Sequence, residues 1–322
     1  MTSLSRLTPC LLALLVATLA LSPAWSESSD NFKFAVYYGV DRLEALKGYD
    51  LVIVSPLMEE EEVRELRESG VVVLGYCSLT TVGGWEPWSV NVTDDMVVGV
   101  YEEWGELVVN VSDSRWRSVI SYAVSYLRSK DFSGVFLDNI DMVELYPWMA
   151  SSIVEIVRDL KLSENDFLIA INRGFYLIDE LAPWVDFVVF ECFGTYFDFN
   201  TNSYRKFTGS DLEWIKSQAE RLKALSEQYG FKVLALGYAD PTNEEKFNEY
   251  RSFVEELASQ YGFPCFVSDL SLQHLPEPSA SGGEAPIAPA GVDLLPVLLC
   301  LVVVVALLIA FSRRRASAKE SS

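Results

Sequence analysis

Two short apolar runs in this sequence end abruptly in acid. One is Gly134-Val-Phe-Leu-Asp138-Asn-Ile-Asp141; the other is Val188-Val-Phe-Glu191-Cys192-Phe193. An apolar strand has little structural use for a carboxylate, so Asp138 and Glu191 stand out among 46 acidic residues. Two carboxyl groups that face one cavity can cleave a glycosidic bond. One holds a proton for the leaving oxygen; the other, ionised, attacks the anomeric carbon or activates water. A partly apolar setting raises one pKa while the other stays low, and general acid catalysis contributes ~10²–10⁴-fold. A separation of ~5–5.5 Å suits retention of anomeric configuration, and ~6.5–9.5 Å suits inversion. Taken alone, Asp138 reads equally well as a strand-end acid capping the next turn. Asp141 orients Asp138, binds a sugar hydroxyl or caps the following turn, the last being the commonest use of such a residue.

Other residue types fit the same chemistry. Trp85 and Trp88 in Gly83-Gly-Trp-Glu-Pro-Trp, with Tyr37, Tyr38, Tyr76, Tyr196 and Tyr238 near strand ends, offer flat apolar faces with polar rims on which a sugar stacks. Packing of loops onto a barrel rim is the competing use and accounts for more than half of them. Asn172 ends the run Ile171-Asn and suits a hydroxyl ligand. Asp240 and Asp269 follow later runs and either bind sugar or cap turns. The single histidine, His274, leaves little material for a zinc site or a Ser-His-Asp set. No nucleotide-binding loop, metal-ligand spacing or nucleophile elbow is present, and no cofactor is called for. Formal net charge is −21. That argues against nucleic acid as partner; it suits a soluble, self-repelling surface or attraction of a cationic polymer.

The elements that must position these residues follow from eight apolar runs: Phe32–Gly39, Leu51–Ser55, Val71–Ser78, Gly134–Asp138, Phe167–Asn172, Val185–Cys192, Lys232–Tyr238 and Pro264–Asp269. Helix signals lie between most of them. Met58–Ser69 opens on four glutamates and stops at Gly70. Trp116, Ile120, Ala123 and Leu127 form an apolar stripe over Ser114–Ser129. Ser210-Asp-Leu-Glu213 and Thr242-Asn-Glu-Glu245 read as capping boxes, followed by helical spacing at Leu212/Ala219/Leu222 and Phe247/Tyr250/Val254/Leu257. Strands alternating with helices predict parallel βαβ units, and eight of them a closed (β/α)8 barrel. Asp138 and Glu191 then end the fourth and sixth strands, at the end where such barrels keep their chemistry. Period-two alternation turns Asp138 inward with Phe136 and Gly134, and Cys192 outward if Glu191 is inward. The long stretch from Leu79 to Asp113 reads as a functional or covering excursion at the mouth.

Residues 1–26 read as a secretory signal, with Arg6, the apolar run Leu11–Leu21 and Ala24-Trp25-Ser26 as cleavage site. Residues 27–275 form the barrel domain, 276–291 a Pro/Gly/Ser/Ala linker, and 292–312 a transmembrane helix. The core of that helix, Leu294–Phe311, approaches the ~20 residues a bilayer requires. The basic tail 313–322, opening on Arg313-Arg314-Arg315, predicts a cytoplasmic C-terminus and an extracellular barrel anchored to the cell membrane by a single pass. Cys77, Cys192 and Cys265 lie in the third, sixth and eighth runs, which suits buried free thiols better than a bridge. Asn91-Val-Thr93 and Asn110-Val-Ser112 are glycosylation sequons, the first in a polar loop and the better candidate.

Tyr49-Asp-Leu-Val, Gly75-Tyr-Cys-Ser, the Trp104 to Trp116 segment, Gly134-Val-Phe-Leu-Asp-Asn-Ile-Asp141, Phe190-Glu191, Leu236-Gly-Tyr-Ala-Asp240 and Val267-Ser-Asp-Leu270 occur in this order. Together they resemble glycoside hydrolase family 114, the endo-α-1,4-polygalactosaminidases and their relatives, over about residues 32–275. The resemblance implies a (β/α)8 barrel that cuts α-linked galactosamine or N-acetylgalactosamine-type polysaccharide. It implies Asp138 and Glu191 as catalytic pair, nucleophile and acid/base respectively by analogy with other barrels acting on α-glycosides. A partly deacetylated polymer of that sugar is cationic, which would match the acidic surface. Two positions depart from the family pattern. Where Ser-x-Gly-Glu usually follows the third strand, this chain has Ser78-Leu-Thr80-Thr81, and Ser55 replaces a common Asp after the second. The lost acids keep a rival reading open, a non-catalytic surface barrel that binds polysaccharide or an envelope partner; a purely structural envelope protein is a third.

Overall fold

The eight apolar runs are the strands of one parallel sheet in the computed structural model, which describes residues 32–164 and 166–276. The chain opens with β1 (Phe34–Tyr37), α1 (Leu43–Leu46), β2 (Leu51–Val54), α2 (Glu60–Glu68) and β3 (Val72–Ser78). An excursion of three short strands follows: β4 (Thr81–Val82), β5 (Val97–Tyr101) and β6 (Glu106–Val109). Then come α3 (Ser114–Ser129), β7 (Gly134–Asp138), α4 (Ala150–Ser163), β8 (Leu168–Asn172), α5 (Ile178–Leu181) and β9 (Phe187–Glu191). A hairpin, β10 (Thr195–Asp198) and β11 (Ser203–Lys206), precedes α6 (Gly209–Tyr229), β12 (Lys232–Tyr238), α7 (Glu244–Ser259) and β13 (Cys265–Ser268).

The large sheet is ordered β1-β2-β3-β7-β8-β9-β12-β13, every pair parallel. Across the seam between its two ends, the Phe34 and Phe266 rings meet at 6.0 Å, and the Tyr38 N–H donates to the Leu272 carbonyl at 2.8 Å. The result is a nearly closed (β/α)8 barrel. Its strands are buried on both faces, which is why they read as continuous apolar runs.

The helix signals hold with two corrections of one or two residues. The α3 stripe is buried against the barrel, and the Trp116 indole N–H donates to the Leu79 carbonyl at 2.9 Å, tying down the start of the excursion. Glu59 and Glu62 form a capping box at the start of α2. Ser210 and Thr242, however, are not the caps. Thr208 precedes α6 without a side-chain cap bond, and Asn243 caps α7 by accepting from the Lys246 N–H. An Asn beside a Thr competes for the same cap, and Asn wins through its carbonyl. The excursion from Leu79 is a three-stranded antiparallel sheet, ordered β4-β6-β5, at the barrel mouth. Cys77, Cys192 and Cys265 are unpaired.

Among the described residues no helix is long and apolar enough to cross a membrane. The leader at 1–26, the linker beyond Pro276, the span at 292–312 and the basic tail lie outside the described residues.

Candidate active site

Asp138, Asn172 and Glu191 close three neighbouring strands, β7, β8 and β9. The pairing explains their meeting. Leu137 faces Ile171, so Asp138 and Asn172 stand side by side; Asn172 faces Val189, so Glu191, two residues further, shares that inward face. Asn172 Nδ2 donates to Asp138 Oδ1 at 2.8 Å and also to Glu191 Oε2. One amide nitrogen therefore bridges the two carboxylates. Each is held from its other side as well. Asp138 Oδ1 accepts the Asn139 N–H at 2.7 Å, and Tyr76 hydrogen-bonds to the same carboxylate. The Tyr238 hydroxyl donates to Glu191 Oε1 at 2.6 Å.

The residue after each of these three strand ends lies in the left-handed region: Asn139 at φ 60°, Arg173 at 51° and Cys192 at 58°. A non-glycine residue pays roughly 1–2 kcal/mol for that conformation. Three such turns in a row bend the chain sharply off the barrel and leave the acids and the amide projecting into the mouth; strain of this kind gathers at working sites. Cys192, the residue after Glu191, packs against the hydrophobic core and also borders the second hollow.

Burial, and then the nearby Glu191 charge, raise the Asp138 pKa to about 6, against the opposing pull of its hydrogen bonds. Burial, with Asp138 and Glu191 for Tyr38, Glu191 for Tyr238 and Asp138 for Tyr76, holds these three hydroxyls far above their ordinary range. These phenols stay protonated, and those of Tyr76 and Tyr238 donate to Asp138 and Glu191.

Two hollows share this floor. A cavity of about 280 Å³ runs toward Tyr38, Ser55, Tyr76, Trp85 and Glu106. A second, of about 330 Å³, runs toward Tyr101, Asp141, Arg173, Phe197 and Phe199. Asp138, Asn139, Asn172, Glu191, Tyr238 and Trp104 border both. The carboxylates thus occupy the middle of a cleft with two wings.

The model of glycoside-hydrolase family GH114 matches residues 17–282. The chain belongs to that family and is a glycoside hydrolase. Two solved structures show the same fold. The glycoside hydrolase domain of PelA from Pseudomonas aeruginosa superposes with a TM-score of 0.67 at 24% identity, covering 76% of this chain and 96% of that one. Aspergillus fumigatus Ega3, in complex with galactosamine, superposes with a TM-score of 0.56 at 16% identity, covering 75% and 92%. No curated protein sequence matches.

The hydrolase brings most of the residues singled out in its sequence to this cleft and leaves others outside. Tyr38, Tyr76, Trp85, Asn172 and Tyr238 line the first wing or the shared floor, and Asp141 the second. Asp141 pairs with Arg173 (3.0 Å) and accepts the Gly174 N–H at 3.1 Å; burial nonetheless raises its pKa to about 6. Tyr196 borders neither wing, because it belongs to β10 and stacks on Phe207 at 4.4 Å. Asp240 accepts from the Thr242 N–H and hydroxyl, an Asx turn rather than a sugar ligand. Asp269 accepts the Gln273 and His274 N–H groups and shapes the loop whose Leu270, Ser271 and Leu272 wall the cleft. Trp88 is buried against Tyr126, and Tyr37 donates to Asp41; neither meets the cleft. His274 packs edge-on against Phe247. Asn91 is exposed, whereas Asn110 is half-buried and its side chain accepts the Ser112 N–H.

Three residues that line the cleft were not among the site candidates read from the sequence: Asn139, Trp104 and Glu106. The Asn139 amide donates to Ser78 Oγ at 3.0 Å and Thr81 Oγ1 at 2.9 Å, joining the ends of β3 and β7. Its signal was an Asn after a strand-end acid, since Asn tolerates the left-handed region. Glu106 reaches the cleft from β6, where Thr81 Oγ1 donates to its Oε2 at 2.6 Å. The position at which the family pattern loses an acid, Thr81, is thus in contact with a carboxylate from another strand.

Proposed function

We propose that this hydrolase cleaves an α-linked, galactosamine-containing polysaccharide by a double displacement, with Asp138 as nucleophile and Glu191 as acid/base. The observation that carries the reading is the Asn172 bridge. Two hydrogen bonds from one nitrogen hold the two carboxylates close together, which supports the closer spacing of retaining enzymes over the wider one of inverting enzymes. Asp138 attacks the anomeric carbon as the glycosidic C–O bond breaks, and Glu191 gives its proton to the departing oxygen. Water then surrenders a proton to Glu191 and displaces Asp138, releasing the sugar with its original configuration. The bridging amide donates to both carboxylates and holds their spacing through both steps.

The Ega3 complex with galactosamine and the −21 net charge support an amino sugar as substrate. The two-winged cleft, open on both sides of the pair, supports cutting within a chain. The apolar 294–311 segment followed by Arg313-Arg314-Arg315 supports a membrane anchor with the barrel outside the cell, where Asn91 is placed for glycosylation.

The test is incubation of the full-length protein with α-1,4-linked galactosamine polymers of graded acetylation, with products read by mass spectrometry. Release of shorter oligosaccharides, lost in Glu191→Gln, is expected. Binding without any release would overturn the catalytic assignment. Because Asp138 must be ionised to attack, turnover falls as pH drops below about 6.

A further inference from the structure

The wing of the cleft lined by Trp85 has a charge balance that the double displacement leaves unexplained. It holds three carboxylates, Asp138, Glu191 and Glu106, and among the described residues that line it none is Lys or Arg. Two carboxylates suffice for the chemistry. Glu106 is extra, and it is delivered from the excursion sheet rather than from a barrel strand.

Its two oxygens are used unequally. Oε2 accepts the Thr81 hydroxyl at 2.6 Å and the Asn139 amide at 3.4 Å; Oε1 accepts no hydrogen bond from any described residue. Oε1 lies beside the Trp85 loop. A Cβ on Gly83 would stand 3.5 Å from Oε1 and 2.5 Å from the indole nitrogen of Trp85. That loop is built to hold its shape. Glu86, 2% exposed, accepts the N–H groups of Gly83 and Gly84, and Gly84 has φ 84°, open to glycine at no steric cost. Trp85 stacks on Tyr76 at 6.0 Å while remaining 47% exposed. A flat aromatic platform therefore adjoins a carboxylate oxygen with a free lone pair.

We propose that Glu106 is the residue by which this hydrolase recognises a protonated amine on the sugar bound in the Trp85 wing. This rests on the amino-sugar reading above. A hydroxyl asks only for a neutral acceptor. A carboxylate set in a half-buried cavity with two more of its own sign is costly unless a cation completes it. On the far wing Arg173 completes Asp141. On this wing no described side chain does so, and no three metal-ligating side chains among the described residues converge to hold a metal ion. The ligand supplies the cation. Burial raises the Glu106 pKa, as it does that of Asp141. An N-acetylated sugar carries no charge to offer and gains nothing from Oε1.

The test is calorimetric titration of the full-length Glu191→Gln protein, with and without Glu106→Gln, using an α-1,4-galactosamine trisaccharide and its fully N-acetylated counterpart. Glu106→Gln should weaken the amine-bearing ligand by about ten- to hundredfold, the worth of one charge-assisted hydrogen bond. The acetylated ligand should change by less than about threefold. Equal losses for both would show that Glu106 only props the Thr81–Asn139 corner, and no loss for either would remove it from the wing; both overturn the proposal. Wild-type cleavage of acetylated polymer with no binding of the amine-bearing trisaccharide would overturn it while leaving the hydrolase reading intact. Binding and cleavage of neither sugar would overturn the substrate reading along with it.

Discussion

The two wings of the cleft meet over the same pair of carboxylates and settle their charge in opposite ways. In the far wing Asp141 has the Arg173 guanidinium at 3.0 Å and the Gly174 N–H at 3.1 Å. In the near wing Glu106 has a hydroxyl and an amide on one oxygen and nothing cationic. The far wing is complete without ligand; the near wing becomes complete with one. That asymmetry teaches that two ends of one cleft can balance a carboxylate differently: by a cation from the chain at one end, and on the proposal above by a cation from the ligand at the other.

Removing the shared floor erases the comparison and has the largest effect. Glu191→Gln should lower kcat by at least about 10²–10⁴-fold, measured by reducing-end release, with the thermal midpoint retained. Asp138→Asn should abolish turnover and change the pH dependence of stability. A carboxylate with a raised folded-state pKa binds its proton more tightly in the native state than in the unfolded chain. Stability therefore falls as pH rises between about 4 and 6, the range from an ordinary aspartate to the Asp138 value. Asp141 adds a slope of the same sign. Denaturant titrations across that range should show the slope in the wild type and a shallower one in Asp138→Asn; an unchanged slope would contradict the burial and the like-charge contact.

Smaller effects separate the wings. Arg173→Ala leaves a half-buried Asp141 uncompensated and should cost about 1–3 kcal/mol, a fall of several degrees in thermal midpoint. Glu106→Gln removes an uncompensated carboxylate and should leave the midpoint level or higher. Destabilisation of both to the same degree would break the contrast. The smallest change expected is from Trp85→Ala, a rise in KM of about threefold to tenfold with little change in kcat, because an exposed platform binds ground and transition states alike.

The sequence carried the barrel clearly because its strands are buried on both faces, leaving eight mostly apolar runs at regular spacing between helix signals. Asp138 and Glu191 were legible for the same reason: an acid within such a run needs a purpose. Glu106 was not. It follows Glu102, Glu103 and Gly105 in what looks like a solvated turn, and only the non-local pairing of Thr81 with Val108 and Val82 with Leu107 carries it to the mouth. Tyr196 misled in the opposite direction. It follows the Glu191 strand closely, yet the left-handed turns at Cys192 and Gly194 redirect the chain into a hairpin. Asp240 and Asp269 share the strand-end position of Asp138 and Glu191, but Asp240 Oδ1 is engaged by Thr242 and the Asp269 carboxylate by N–H groups of its own turn. Position along the strand was readable from the sequence; which lone pairs were already taken was not.

The assignment of Asp138 as nucleophile is tested most directly by trapping. An activated 2-amino-α-galactoside with a good leaving group, offered to Glu191→Gln, should glycosylate the protein and then stall, because the second step lacks its base. Peptide mass spectrometry should find the added sugar on Asp138. A sugar ester elsewhere, or release of a first-formed product with inverted anomeric configuration from the wild type, would contradict the account.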